Sequence, residues 1–91
     1  MTYRTIHRDR HHFGWDNAFE PVLNIEPGAT VAFEVVDAGG GQLTRSSTTD
    51  DVAKLDFARV NPVTGPVYVE GAEPGDALAV EILELEGSGW G

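Results

Sequence analysis

Two stretches of this 91-residue chain repeat one pattern: residues 26–35 read EPGATVAFEV and residues 73–82 read EPGDALAVEI. Each sets a Pro-Gly turn ahead of apolar residues at alternate positions. Proline fixes φ and glycine accepts φ > 0, so the chain bends before each apolar run. In the first copy Val31, Phe33 and Val35 fall on one face and Thr30, Ala32 and Glu34 on the other. That is the two-residue period of a strand, built from residue types that favour one. Taken alone, residues 77–86 also fit a helical face through Leu78, Ile82 and Leu85. The echo of the first copy assigns them to a strand. Their apolar phase slips from Ile82 to Leu83 and Leu85, which predicts a bulge or the strand's end.

The remaining apolar runs are short as well. Val22, Leu23 and Ile25 follow Pro21, and Val67-Tyr68-Val69 follows the turn dipeptide Gly65-Pro66. Both read as strands. The sequence predicts at most one short helix, around residues 50–57, with Thr49 as its cap ahead of Asp50 and Asp51. Asn61-Pro62 stops it, because proline pushes its predecessor out of the helical region. Residues 1–20 have no clean period and read as an N-terminal arm with aromatic anchors at Phe13, Trp15 and Phe19. Residues 21–86 form the strand-rich unit. Residues 87–91, GSGWG, read as a flexible end where Trp90 needs a cover from further sequence or another chain.

Composition narrows the partners. Fifteen acids against six Lys and Arg give a formal net charge of −9. Such a surface repels phosphate backbones and anionic membranes, so neither nucleic acid nor membrane is the expected partner. The chain has no cysteine, which removes disulfides, thiolate nucleophiles and Cys-ligated zinc. A small secreted domain would often carry bridges, so their absence points to the cytoplasm.

The stretch LDFARVNPVTGPVYVEGAEPGDALAVEILELE, together with PVLNIEPGATVAFEVVDAGGGQL before it, resembles the acetamidase/formamidase family of amide hydrolases. The phrase GPVYVEGAEPGDAL is its most specific part; Asp37 followed by Gly40 and Gln42, and Asp51 and Asp56, also fit the family pattern. Ala29 departs from it, since the family places Asp in this P-G-D turn, whereas Pro74-Gly75-Asp76 keeps it. The resemblance implies an all-β fold, a portion of a jelly-roll-like antiparallel β-sandwich. It implies hydrolysis of short aliphatic amides such as formamide or acetamide to carboxylate and ammonia. It further implies a homo-oligomer, and a complete enzyme several times longer whose sequence continues beyond SGWG. The chain is then an N-terminal fragment, inactive alone.

Amide hydrolysis needs an attacking group, a proton donor for the leaving amine and a place for the oxyanion. Ser46, Ser47, Thr48 and Thr49 lie in a run without a nucleophile-elbow motif and read as a polar loop. Water activated by a divalent metal is the more suitable route, and His7, His11 and His12 with Asp9 and Asp16 carry compatible donors. Asp37, directly after the clearest strand and at the head of Gly39-Gly40-Gly41, is the candidate catalytic carboxylate, and His12 with Asp37 are the candidate metal ligands. Asp37 equally suits turn chemistry, its side chain bonding nearby amides. A second class of function remains open from the sequence: a stand-alone, non-catalytic β-sandwich module for binding or assembly.

Overall fold

The computed structural model of the chain describes residues 3–91. Its regular structure is strand apart from one five-residue α-helix and one 3-10 turn. Strands β1 (Arg4–Ile6), β2 (His11–His12), β3 (Leu23–Ile25) and β4 (Val31–Phe33) precede α1 (Thr49–Ala53) and the 3-10 turn Phe57–Arg59. Strands β5 (Val63–Thr64) and β6 (Val67–Val69) follow. The strands form three two-stranded ladders: β1 with β4, β2 with β5, and β3 with β6.

The all-β expectation agrees with this content, but two of the three ladders are parallel and not antiparallel. Only β2 and β5 run antiparallel, with His11 opposite Thr64 and His12 opposite Val63. The cause lies in the Glu26-Pro27-Gly28-Ala29 turn. Ala29 N–H donates to the Glu26 carbonyl at 3.1 Å and Gly28 has φ +88°. A proline followed by a positive-φ glycine is the type II pattern, which splays its flanking strands, unlike the primed turns of hairpins. β3 and β4 therefore part company, and each pairs with a strand distant in sequence.

Hydrogen bonds just outside the ladders link the three pairs. Glu34 N–H extends the β1–β4 ladder by donating to the Ile6 carbonyl at 2.9 Å. The Thr64 hydroxyl donates to the Glu34 carbonyl at 2.7 Å and so ties β5 to the end of β4. Gly65 N–H reaches the Arg10 carbonyl at 2.9 Å, and Val22 N–H reaches the Pro66 carbonyl at 2.9 Å. The Gly65–Pro66 segment, whose peptide bond is cis, thus passes the chain from the β2–β5 ladder to the β3–β6 ladder.

The expected N-terminal arm, from Tyr3 onward, carries two of these strands, β1 and β2. Its aromatic anchors are not buried: Phe13, Phe19 and, most of all, Trp15 are exposed. The helix begins one residue earlier than expected, with Thr48 at the cap. The Asp51 carboxylate accepts from Thr48 N–H at 2.8 Å and from the Thr48 hydroxyl at 3.3 Å, an acid three residues past the cap closing back on it.

The core is small. Among the described residues only Ile6 and Leu23 are buried apolar side chains. In β3 and β6 the alternation is clear: Leu23, Ile25, Val67 and Val69 face inward to differing degrees, while Asn24 and Tyr68 face solvent. The radius of gyration, 15.7 Å, exceeds the roughly 12 Å expected of a compact chain of this length. Much of the excess of surface is in residues 77–86. They form neither helix nor paired strand, although the second Glu-Pro-Gly turn closes as the first does, with Asp76 N–H donating to the Glu73 carbonyl at 3.0 Å. The strand expected there has the backbone entry it needs and no partner strand among the described residues.

Candidate functional site

An open cleft of about 300 Å³ lies between the start of β2 and the Gly65–Pro66 segment, walled by Asp9, Arg10, His11, His12, Phe19 and Glu20. The ladder of β2 with β5 places His12 here. Its Nδ1 lies 3.2 Å from the Gly65 carbonyl oxygen. That oxygen can only accept, so Nδ1 is the protonated ring nitrogen and Nε2 is the one able to take a proton. Phe19 packs against the ring at 5.0 Å between centroids, tilted by 59°. The imidazole is thus held on two sides, by a carbonyl and by an aromatic ring. Nε2 has no hydrogen-bond partner among the described residues.

The other two histidines make different contacts, although His11 also lines the cleft. His11 Nδ1 bonds the Arg8 carbonyl, and its ring meets Phe13 edge-on at 5.3 Å. His7 Nδ1 lies 2.9 Å from Glu34 Oε1. That hydrogen bond is the main reason the Glu34 carboxyl is held below its ordinary pKa, with a lesser contribution from Arg8 N–H at 3.4 Å. The Asp16 carboxylate accepts from Ala18 N–H at 2.9 Å in its own turn. Among the described residues no three His, Asp or Glu side chains gather as a metal-binding group.

Asp37 is separate from the cleft walls. Its Oδ2 accepts from Gly39 N–H and its Oδ1 from Gly41 N–H, both at 3.0 Å, while its carbonyl accepts from Gly40 N–H at 2.9 Å. Both carboxylate oxygens therefore hold the glycine loop in shape. The loop docks on the 3-10 turn: Asn61 N–H donates to the Ala38 carbonyl at 2.7 Å, and a Cβ on Gly40 would collide with the Arg59 carbonyl oxygen. Gln42 clamps the same region, with Nε2 donating to the Gly39 carbonyl at 2.9 Å. Asp56 caps the 3-10 turn, its Oδ1 accepting from Ala58 N–H at 3.0 Å. The acids that fit the family pattern at 37, 51 and 56 thus behave alike, each accepting backbone N–H groups at a turn or helix start.

The hydroxyl run is a self-contained turn. Thr44 N–H donates to Ser47 Oγ at 2.8 Å, and Thr44 Oγ1 and Ser46 Oγ lie 3.0 Å apart. No histidine bonds these hydroxyls among the described residues, so no Ser–His pair is formed. Close by in sequence, the Arg45 guanidinium lies 6.0 Å from the centre of the Trp90 ring, which remains 45% exposed. The sequence does not place Arg10, Glu20, Gly65 and Pro66 at a site, and Gly65 and Pro66 are central to the cleft. These two are legible in the sequence only as a turn, because their contact with His12 spans 53 residues of chain.

The strands thus carry a histidine-bearing cleft and a carboxylate-pinned glycine loop. Comparison with known sequences gives the class of the chain. The Acetamidase/Formamidase family model matches residues 2–91, and the chain belongs to that family. It is 35% identical over 83 residues to a formamidase of Methylophilus methylotrophus, covering 88% of this chain and 20% of that one. It is 32% identical over 90 residues to an acetamidase of Mycolicibacterium smegmatis, covering 88% of this chain and 22% of that one. The crystal structure of an acetamidase from Bacillus halodurans matches with a TM-score of 0.67 and 38% identity, over 79% of this chain and 24% of that chain. The chain spans about a fifth of the length of the curated relatives it matches.

Proposed function

We propose that the chain is the N-terminal portion of an amide hydrolase that cleaves formamide, acetamide or a similar short aliphatic amide to carboxylate and ammonia. The observation that carries this reading is the family match along residues 2–91, on relatives about five times as long. The jelly-roll-like sandwich is completed by the polypeptide that those relatives have in addition. Alone, the chain does not turn over, since its cleft is open and, among the described residues, its core is confined to Ile6 and Leu23. In this reading the assembled enzyme is a homo-oligomer of the cytoplasm. Among the described residues no helix is long and apolar enough to cross a membrane.

His12 is the residue of this chain that reaches the reacting amide. With Nδ1–H committed to Gly65, its Nε2 takes a proton from the attacking water or returns one to the leaving amine. Asp37 acts by fixing the glycine loop that borders the completed site. His12 and Asp37 do not fit a shared divalent metal: Asp37 lies outside the cleft, Nε2 of His12 is the proton carrier, and no three such side chains gather among the described residues.

The test is a replacement. Residues 2–91 take the place of the matched stretch in the Bacillus halodurans acetamidase, and ammonia release from formamide and acetamide is measured. The reading expects turnover by the hybrid. A folded hybrid without amidase activity contradicts it.

A further inference from the structure

Residues 77–86 carry the pattern of a strand without the pairing of one. The preceding turn matches that before β4: Glu26 and Glu73 carbonyls accept from Ala29 and Asp76 at 3.1 and 3.0 Å, and Gly28 and Gly75 have φ +88° and +95°. After the first turn, Val31–Phe33 pairs with β1. After the second, residues 77–86 make no backbone hydrogen bond among the described residues. Leu78, Val80, Ile82, Leu83 and Leu85 are 60–85% exposed. Isolated apolar residues are ordinary on a surface, but five within eight positions form a contiguous exposed apolar segment of the kind that marks an interaction site.

The order of these residues describes the partner. Leu78, Val80 and Ile82 share one face of an extended chain, and Leu83 and Leu85 share the opposite one. A strand whose apolar face switches midway suits a sandwich corner, where one strand leaves the core of one sheet and enters that of the other through a bulge. Glu81, Glu84 and Glu86 alternate with the apolar residues, and the whole chain carries a net charge of −9. Two copies pairing along this segment would set like charges against each other, which is unfavourable. The relatives have about four fifths of their length beyond what this chain matches, ample polypeptide to supply a sheet edge.

From these observations we infer that residues 77–86 are a docking strand that adds to a sheet edge formed by the remaining amidase polypeptide. This rests on the reading of the chain as part of an amide hydrolase. Main-chain hydrogen bonds supply the attachment, and Leu78, Val80 and Ile82 fix its register by entering the partner's core.

The experiment is hydrogen exchange on the 91-residue chain alone and co-produced with the Bacillus halodurans acetamidase polypeptide from which the matched stretch has been removed. Alone, residues 78–85 exchange at the rate of unprotected chain at every protein concentration. In the complex, alternate backbone N–H groups in this segment slow by at least about tenfold, as in a newly paired edge strand. Val80→Glu abolishes the complex and leaves the rest of the chain's exchange pattern unchanged, because Val80 is 82% exposed in the chain itself. Protection in the monomeric chain, protection that appears with concentration through self-pairing, or a complex that leaves residues 78–85 unprotected each overturns the inference. So does failure to recover the two polypeptides together. Ammonia release is read separately: a complex with the protected strand but no amidase activity overturns the functional reading alone, and activity without the protection overturns the docking strand alone.

Discussion

Gln42 and Asp56 hold each other through both ends of one amide side chain. Gln42 Nε2 donates to the Asp56 carbonyl at 3.1 Å, and Asp56 N–H donates to Gln42 Oε1 at 2.9 Å. A side-chain amide here reproduces the donor and acceptor of a neighbouring strand, pairing backbone that no ladder reaches. It joins the glycine loop after β4 to the 3-10 turn before β5.

Replacing Gln42 by Ala removes this pair and the bond to the Gly39 carbonyl. At about 1 kcal/mol for each partly exposed hydrogen bond, the loss is roughly 2–3 kcal/mol in the assembled protein, read from its urea midpoint. Gln42→Glu keeps the acceptor for Asp56 N–H and loses both donated bonds. The exchange rate of the Asp56 N–H separates the two variants: it rises in Gln42→Ala and stays slow in Gln42→Glu.

Gly40 and Gly41 have similar positive φ angles, +69° and +78°, and different surroundings. A Cβ at Gly40 meets the Arg59 carbonyl oxygen, whereas one at Gly41 has nothing within 4 Å. Gly41→Ala therefore costs only the left-handed strain, about 1–2 kcal/mol. Gly40→Ala adds overpacking of about 1–3 kcal/mol and displaces the loop from the 3-10 turn. Unfolding titrations of the two variants in the assembled protein measure the difference directly.

The hydrogen bond from His7 gives the Glu34 carboxyl a lowered pKa. A carboxyl that is easier to ionise when folded contributes stability above its ordinary value, and the contribution disappears as pH falls through the lowered folded value. Both partners are largely exposed, with side-chain exposures of 69% and 44%, so the effect on stability is small and screened by salt. A carbon-detected NMR titration shows it better. The Glu34 midpoint lies below the ordinary glutamate value, and His7→Ala moves it upward.

His12→Ala removes the cleft ring whose Nδ1 is tied to the Gly65 carbonyl and whose Nε2 is left to accept a proton. In the assembled enzyme kcat/KM for acetamide falls by about 10²-fold or more, the usual range for a lost proton carrier. Phe19→Leu, which loosens the ring without removing it, has a smaller effect. Steady-state ammonia assays on both variants check the order.

Much of the strand content is legible in the sequence because it follows local rules. Leu23–Ile25, Val31–Phe33 and Val67–Val69 are short β-branched or aromatic runs beside Pro or Gly, and all three are strands. Both Glu-Pro-Gly turns close as their chemistry requires. The helix cap is legible too, once the acid three residues on is weighed: Thr48 has Asp51 there, whereas Thr49 has Val52. Strands β1 and β2 are not legible, since three and two residues of mostly polar sequence are too short to show a period. Parallel pairing is a long-range property: β3 and β6 are more than forty residues apart, and nothing local encodes their direction. The cleft is hidden for the same reason, because Gly65 turns a surface histidine into an oriented one only across the fold. The turn bonds of Asp37 are local and follow from an acid placed ahead of a glycine run.

Ammonia release by the isolated 91-residue chain, with formamide and with acetamide, tests the central claim most directly. An open cleft, a core of two buried apolar side chains and an unpaired strand predict no release above the buffer background. Sustained, His12-dependent turnover by the chain alone would contradict the account.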